Sequence, residues 1–465
     1  MFQDKNPWKY VALGFLLAAV LIGLLLFFGM QAQAATRFLP IEEITTPKGI
    51  KVWVVKDNSL PVISLKFLFV DSGSANDPEN LQGLARLLSN TLDEGAGELD
   101  SQNFQKALAD HSITLTFSAG RDSFGGDVKT LSRHQDKAFE LLTLALNKPR
   151  FDPEPVARMK DGNLTRIKSS MSEPDWMAAR LINDRAFGTH IYAKNSGGTL
   201  SSLPRITPED LRTFKNTYLT RDRLLIAAAG DINTQTFGAT IDKAFGDLPA
   251  KGPEVTTKDF TLANQAKTFL YDQDIPQTFI EIMIPSFDNK DKDFFALKVL
   301  NYIFGGAGFG SRLMDTVREK GGLTYGIYSN LQDYRYGDVL GISTSTKNES
   351  AKEMLSLIQT EMTNLQNTEV SAKELQDAKS YLTGSMPLAL TSTDDIAEMI
   401  LSLQFQGLPQ DYLDHYKDYI NAVTPADIQR VAKRVLNPST MVTALVGKPQ
   451  TIENAESVKE LPNVQ

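Results

Sequence analysis

At 465 residues the chain exceeds one ordinary domain, and 42% hydrophobic with 22% charged is a globular composition, so two or more cores are expected. The balance of 48 basic against 56 acidic residues, with no basic run interleaved with aromatics, argues against nucleic acid as a partner. Zero cysteines remove disulfides, thiolate catalysis and every Cys-ligated metal site, and four histidines leave few catalytic options.

The N-terminus reads as an address. After Lys5 and Lys9, residues 11–28 form an uninterrupted apolar or glycine run of 18 residues, followed by Gly29-Met-Gln-Ala-Gln-Ala-Ala. The Ala32-Gln33-Ala34 triplet suits cleavage before Ala35, yet the run is also long enough to span a bilayer. Residues 1–34 are therefore expected to be an export helix, either a removed signal peptide or a retained inner-membrane anchor. The mature chain is expected to be periplasmic, secreted or held at the inner membrane by that helix.

Strand patterns follow at residues 51–55 and 63–70, and the chain then turns mostly helical. A helix is expected to start at Ile206-Thr-Pro-Glu-Asp-Leu, leading to a strand at 224–229 closed by Gly230. The stretch opening with Leu248-Pro-Ala-Lys-Gly-Pro reads as a linker over 249–267. A second β-rich opening at 278–284, a second helix start at Val423-Thr-Pro-Ala-Asp-Ile and a second strand at 442–446 closed by Gly447 repeat the plan. The acidic tail after Pro449 is expected to be loose.

This repetition is a duplication. Thr207 and Thr424, Pro208 and Pro425, Asp210 and Asp427, Leu219 and Leu436, Ala227 and Ala444, and Gly230 and Gly447 all pair at an offset of 217 residues. Each Thr suits an N-cap, each Pro the first helical position, and each Asp the positive end of the helix dipole. Helix-start chemistry alone would not repeat the following strand and glycine at the same distance. The fold class is α+β: two homologous α/β-sandwich halves, roughly 36–248 and 268–460, each an antiparallel-rich sheet covered on one face by helices.

Chemistry-bearing groups are sparse. His111, His134, His190 and His415 have no partner three or four positions away, so a surface or hydrogen-bonded role is the expectation. The run Gly305-Gly-Ala-Gly-Phe-Gly lacks the Lys and the strand-to-helix context that a phosphate loop needs. No serine nucleophile elbow is present.

Residues Gly83-Leu-Ala-Arg-Leu-Leu-Ser-Asn-Thr-Leu, preceded by Gly73-Ser-Ala-Asn-Asp-Pro-Glu-Asn and followed by Asp93-Glu-Gly, resemble the opening of the pitrilysin/insulinase (inverzincin) zinc peptidases. In that family the helix carries His-x-x-Glu-His: two histidines one turn apart grip zinc, and the glutamate polarises water. Laying the pattern on this chain puts Arg86 and Asn90 in place of the histidines and Ser89 in place of the base. The stretch from Phe151 to Ile167 resembles the region of the third ligand, a glutamate, and places Arg166 there. A guanidinium cannot ligate zinc and repels it, so the resemblance implies no metal and no catalytic residue in this chain.

The second half resembles the family most strongly, through Gly310-Ser-Arg-Leu, Val317-Arg-Glu and Gly322-Leu-Thr-Tyr-Gly. Arg318 and Tyr325 match a family Arg/Tyr pair that holds the substrate backbone and supports charge on the scissile carbonyl. On structural grounds alone, Arg318 as a helix cap and Tyr325 as strand packing are the alternatives. Some family members, mitochondrial processing peptidase among them, divide zinc ligands and the Arg/Tyr element between two chains. The resemblance thus implies a non-catalytic, peptide-binding subunit whose zinc-bearing partner is a similar chain, with extended or unfolded peptides as substrate. A homodimeric scaffold or peptide-binding protein is the rival reading, and a peptidase with its metal elsewhere is a third.

Overall fold

The computed structural model describes residues 37–465, so the expected export helix at 1–34 lies outside the described residues. Among the described residues no helix is long and apolar enough to cross a membrane.

Two six-stranded sheets organise the chain. The first holds β1 (Glu42–Thr45), β2 (Lys51–Lys56), β3 (Val62–Val70), β4 (Thr114–Ala119), β5 (Ser123–Leu131) and β6 (Leu224–Gly230) in the order β1-β2-β6-β3-β5-β4. The second holds β7 (Thr268–Asp272), β8 (Gln277–Pro285), β9 (Ile327–Tyr334), β10 (Gly337–Lys347), β11 (Val442–Gly447) and β12 (Ala455–Val458) in the order β12-β7-β11-β8-β10-β9. Five strands match place for place, and in each sheet the pairing of the repeat strand with its short neighbour, β2 with β6 and β7 with β11, is parallel.

The repeated helix starts fold identically. Thr207 and Thr424 each accept the amide of the residue three ahead, and Asp210 and Asp427 each accept the threonine amide in return, at 2.8 and 2.9 Å. The closing glycines share a backbone constraint as well. Gly230 has φ +124° and Gly447 +148°. A Cβ would lie 2.0 Å from the Val62 carbonyl oxygen in the first case and 2.7 Å from that of Gln277 in the second.

Each sheet is covered on both faces, which corrects the expectation of one. The inner face of β6 sends Ile226 and Ala228 into the core of its own half, while Ala227 and Ala229 pack against Ala397, Ile400 and Leu401 of the helix Thr393–Phe405 from the second half. Reciprocally, the helix Pro174–Phe187 of the first half buries Ala178, Leu181 and Ile182 against Met283, Val442, Ala444 and Val446 of the second sheet. A strand apolar on both faces needs cover on both sides. The alanines, having no bulk beyond Cβ, let the crossing helix approach closely.

The tail is a second correction. After Pro449 the chain adds β12 parallel to β7, at the edge that β1 occupies in the first sheet. Leu461 and Val464 are buried beyond it, and the Val464 carbonyl accepts the Leu200 amide at 3.0 Å. Wide spacing of Val458, Leu461 and Val464 among polar residues conceals this apolar side in the sequence. Residues 249–267 carry no helix or strand, yet Phe260 donates its amide to the Tyr336 carbonyl at 2.8 Å and Leu262 is buried.

Polar anchoring of the crossing helices differs between halves. Lys66 on β3 lies opposite Ala227, and its ammonium sits 2.8 Å from Asp127, 3.4 Å from Asp394 and 3.2 Å from Glu398, the last two on the crossing helix. Glu281 on β8 holds the matching place opposite Ala444. Burial, with Asp175 nearby, pushes its carboxyl up to about 7 against the hydrogen bond from Ser343. Burial of Lys66 opposes its charge, but the Asp127 bond and the three carboxylates outweigh burial and raise its pKa. That stabilisation is complete below the ordinary 10.5 and is lost as pH climbs beyond it. Lys66→Ala is expected to lower stability in urea by about 1–3 kcal/mol, because it strips charge-assisted bonds that tie the halves together. An unfolding midpoint unchanged at neutral pH would contradict this role.

Candidate functional site

The short helix Leu84–Ser89 is positioned from behind. Gly83 enters it at φ +91°, and the buried Asp77 carboxyl group accepts the Gly83 and Ala85 amides at 2.8 and 3.0 Å. Leu84, Ala85, Leu87 and Leu88 are all buried in the first-half core. Burial of that face turns Arg86 and Asn90, one turn apart, toward the opposite side. Ser89 does not join them: it is 5% exposed and its hydroxyl donates to the Arg86 carbonyl at 2.8 Å, within its own helix.

Across from this helix runs Pro153–Ser170, which presents Asn163 and Arg166. Asn163 is buried and its amide donates to the Asn90 side-chain oxygen at 3.1 Å. Arg166 faces Arg86 closely enough that, after burial, its charge is the next cause holding Arg86 below its ordinary value. The Nε of Arg86 is buried with no hydrogen-bond partner. A cleft of about 140 Å³ lies here, lined among others by Arg86, Asn163, Arg166, Trp176, Asn195 and Ser196. Arg86, Asn90 and Arg166 are thus gathered in one place. Asn163 escaped the spacing argument because one helical turn of slip separates it from Arg166, and only the Asn90 contact distinguishes the two.

The donor set does not fit zinc. A guanidinium has no lone pair to give, two of them repel a dication, and Ser89 has already committed its hydroxyl to the helix. Among the described residues no group of three or more His, Asp or Glu side chains is placed to hold a metal ion. Two histidines meet backbone carbonyls: His111 Nδ1 that of Ala107 at 2.9 Å and His190 Nε2 that of Lys258 at 3.0 Å. His111 and His134 do meet in space, ring centroids 5.2 Å apart and edge to face, a contact that their sequence spacing conceals.

Arg318 and Tyr325 belong to the second half and stand apart from the cleft, whose lining comes from residues 86–197. Arg318 sits in a π-helical segment, Met314–Lys320, with its guanidinium 4.4 Å above the Phe309 ring and 3.4 Å from Glu319. Tyr325 precedes β9 rather than packing within it and is 89% exposed. The Thr324 hydroxyl accepts the Gly326 amide at 3.1 Å and donates to the Gly326 carbonyl at 2.9 Å, so the backbone on either side of Tyr325 is tied in a tight turn. Strand packing is therefore excluded for Tyr325. The glycine run has a packing reason too: a Cβ on Gly305 would come within 2.6 Å of the Ser329 hydroxyl.

Two family profiles match the chain. One, described as insulinase (peptidase family M16), covers residues 53–198, and the other, peptidase M16 inactive domain, covers 205–382. A non-peptidase homolog, YmxG, of Helicobacter pylori is 25% identical over 92% of this chain and 98% of that protein. A probable mitochondrial-processing peptidase subunit beta of Arabidopsis thaliana is 22% identical over 89% of this chain and 80% of its own length. The crystal structure of a peptidase M16 inactive domain from Pseudomonas fluorescens superposes with a TM-score of 0.83 at 27% identity, covering 89% of this chain and 99% of that one.

Asp77 generates a pH-dependent expectation. Burial pushes its carboxyl up to about 7 against the backbone bonds from Ala85 and Gly83, so the neutral form is favoured in the fold. Its contribution to stability is complete below the ordinary value of 3.8 and is lost as pH rises through about 7. In thermal melts from pH 4 to 8, Asp77→Asn should flatten the decline in Tm relative to the parent chain. Parallel curves would refute the assignment.

Proposed function

The chain belongs to the M16 (insulinase) peptidase family, and on that premise we propose that it is a non-catalytic, peptide-binding subunit that completes the active site of a zinc-bearing partner. The observation that carries this reading is the pairing of Arg86 with Arg166 at the place where the family's metal donors would stand. Electrostatics alone opposes a dication there, and no donor nearby compensates. The similar Helicobacter protein bears the name of a non-peptidase homolog, and the similar Arabidopsis chain is named as one subunit of a processing peptidase, in keeping with a divided enzyme.

What this chain supplies in that reading is the second-half element. Arg318 has a planar fork suited to a peptide carbonyl, and the Phe309 ring beneath it holds the fork's plane. Tyr325 projects its hydroxyl into solvent at the head of β9, an edge strand of its sheet. An extended peptide can add to such an edge through main-chain hydrogen bonds, which would carry its scissile carbonyl past Tyr325. The tyrosine then donates a hydrogen bond to the oxygen as charge develops. Zinc and the water-activating base belong to the partner, a chain of similar length exported alongside this one to the periplasm or the inner-membrane surface.

Native purification from periplasmic and membrane fractions, with zinc measured in each separated chain, tests the assembly. A zinc-bearing peptidase is expected to co-purify, with zinc in that partner and not in this chain. Recovery as a homodimer without peptidase activity would replace this reading by the scaffold one. In the assembled pair, Arg318→Ala is expected to reduce turnover of an extended peptide by about tenfold to a hundredfold with assembly intact, and Tyr325→Phe to reduce kcat more than it raises KM. Unchanged turnover in both would remove the role given to the pair.

A further inference from the structure

The Arg86 cleft has a property that loss of zinc does not require. Losing a metal site needs only the removal of donors, and apolar or neutral residues would achieve that without holding charge out of water. Here two guanidinium groups face one cleft, and neither forms an ion pair or side-chain hydrogen bond among the described residues. Two other arginines of this chain have a carboxylate partner: Arg312 holds Glu374 through two bonds at 2.7 and 2.8 Å, and Arg430 reaches Asp293 at 2.6 Å. The cleft lining contains no Asp or Glu at all. A guanidinium drawn out of water without a counter-charge is costly, and a second one beside it adds repulsion.

From this arrangement we infer that the cleft is a carboxylate-binding site, in which Arg86 and Arg166 together clamp one anion with the Asn163 and Asn195 amides and the Ser196 hydroxyl around it. The unpartnered Nε of Arg86 supplies a donor already stripped of water. Arg166 is exposed on its helix and can close over the anion from the solvent side. At about 140 Å³ the space suits a carboxylate with a short stem rather than a nucleotide or sugar, and planar guanidinium forks match the geometry of a planar anion. The Trp176 ring at the rim offers an apolar wall for the stem and an optical reporter. The carboxylate comes from a peptide, either its C-terminus or an Asp or Glu side chain. The inference goes beyond the role given to Arg318 and Tyr325 and does not depend on a partner subunit.

Binding to the isolated chain can be followed by Trp fluorescence and by Tm. The probes are acetate and one neutral peptide in three forms: free C-terminal acid, C-terminal amide, and amide with an internal Glu. Acetate should raise Tm where potassium chloride of equal ionic strength does not, and the free acid, the Glu peptide or both should bind at least about tenfold more tightly than the plain amide. Which of the two binds identifies the source of the carboxylate. Arg166→Gln, at an exposed position, should fold normally and weaken this preference about tenfold. Arg86→Met should abolish it while raising the Tm of the ligand-free chain. Equal binding of acid and amide, an equal shift with chloride, or wild-type preference in Arg166→Gln would each overturn the assignment. Because none of these readouts uses peptidase activity or a second subunit, their failure would leave the proposed function untouched, and the reverse holds as well.

Discussion

The exchange of two helices between the halves is the constraint on which the rest depends. Neither sheet can stand alone: Ala227 and Ala229 on one, and Val442, Ala444 and Val446 on the other, would lie open to water without a helix from the opposite half. Hydrophobic cover of this kind is worth about 25 cal/mol per Å² of apolar surface, and here it is reciprocal, so each half stabilises its neighbour's sheet while completing its own. The two halves accordingly pack against each other through these reciprocal helices.

Duplication made this arrangement available, and divergence then used the two copies differently. Equivalent positions opposite Ala227 and Ala444 carry Lys66 in one half and Glu281 in the other. The first is satisfied by three carboxylates, two of them across the half boundary, whereas the second is a half-buried acid near another acid, with its pKa displaced toward neutrality. One boundary is thus electrostatically clamped. The other rests chiefly on the apolar contacts of Leu181 and Ile182 with Val442, Ala444 and Val446.

The same divergence shaped the sites. In the first half, a helix framed by Asp77 and four buried apolar residues turns Arg86 into a cleft shared with Arg166, and Asn90, one turn on, meets Asn163 of that cleft's lining. In the second half, Thr324 and Gly326 hold Tyr325 in solvent, and Phe309 braces Arg318. An exposed tyrosine held by a closed turn, with no packing reason for its place, is a feature that stability alone does not account for.

Local chemistry was legible from residues alone. The capping boxes at Thr207 and Thr424, the strands 224–229 and 442–446 with their glycines, and the projection of Arg86 and Asn90 from one helix face all follow from contacts within four residues or from the two-residue period of a strand. Contacts distant along the chain were decided only by the tertiary structure. These include the crossing of Pro174–Phe187 and Thr393–Phe405, the docking of β12 by a tail that reads as loose, the choice of Asn163 as the neighbour of Asn90, and the meeting of His111 with His134. Periodicity reports which face of an element is apolar but not which distant surface will cover it, because that choice is made by shape and by the joint packing of many elements, and no single segment carries the information.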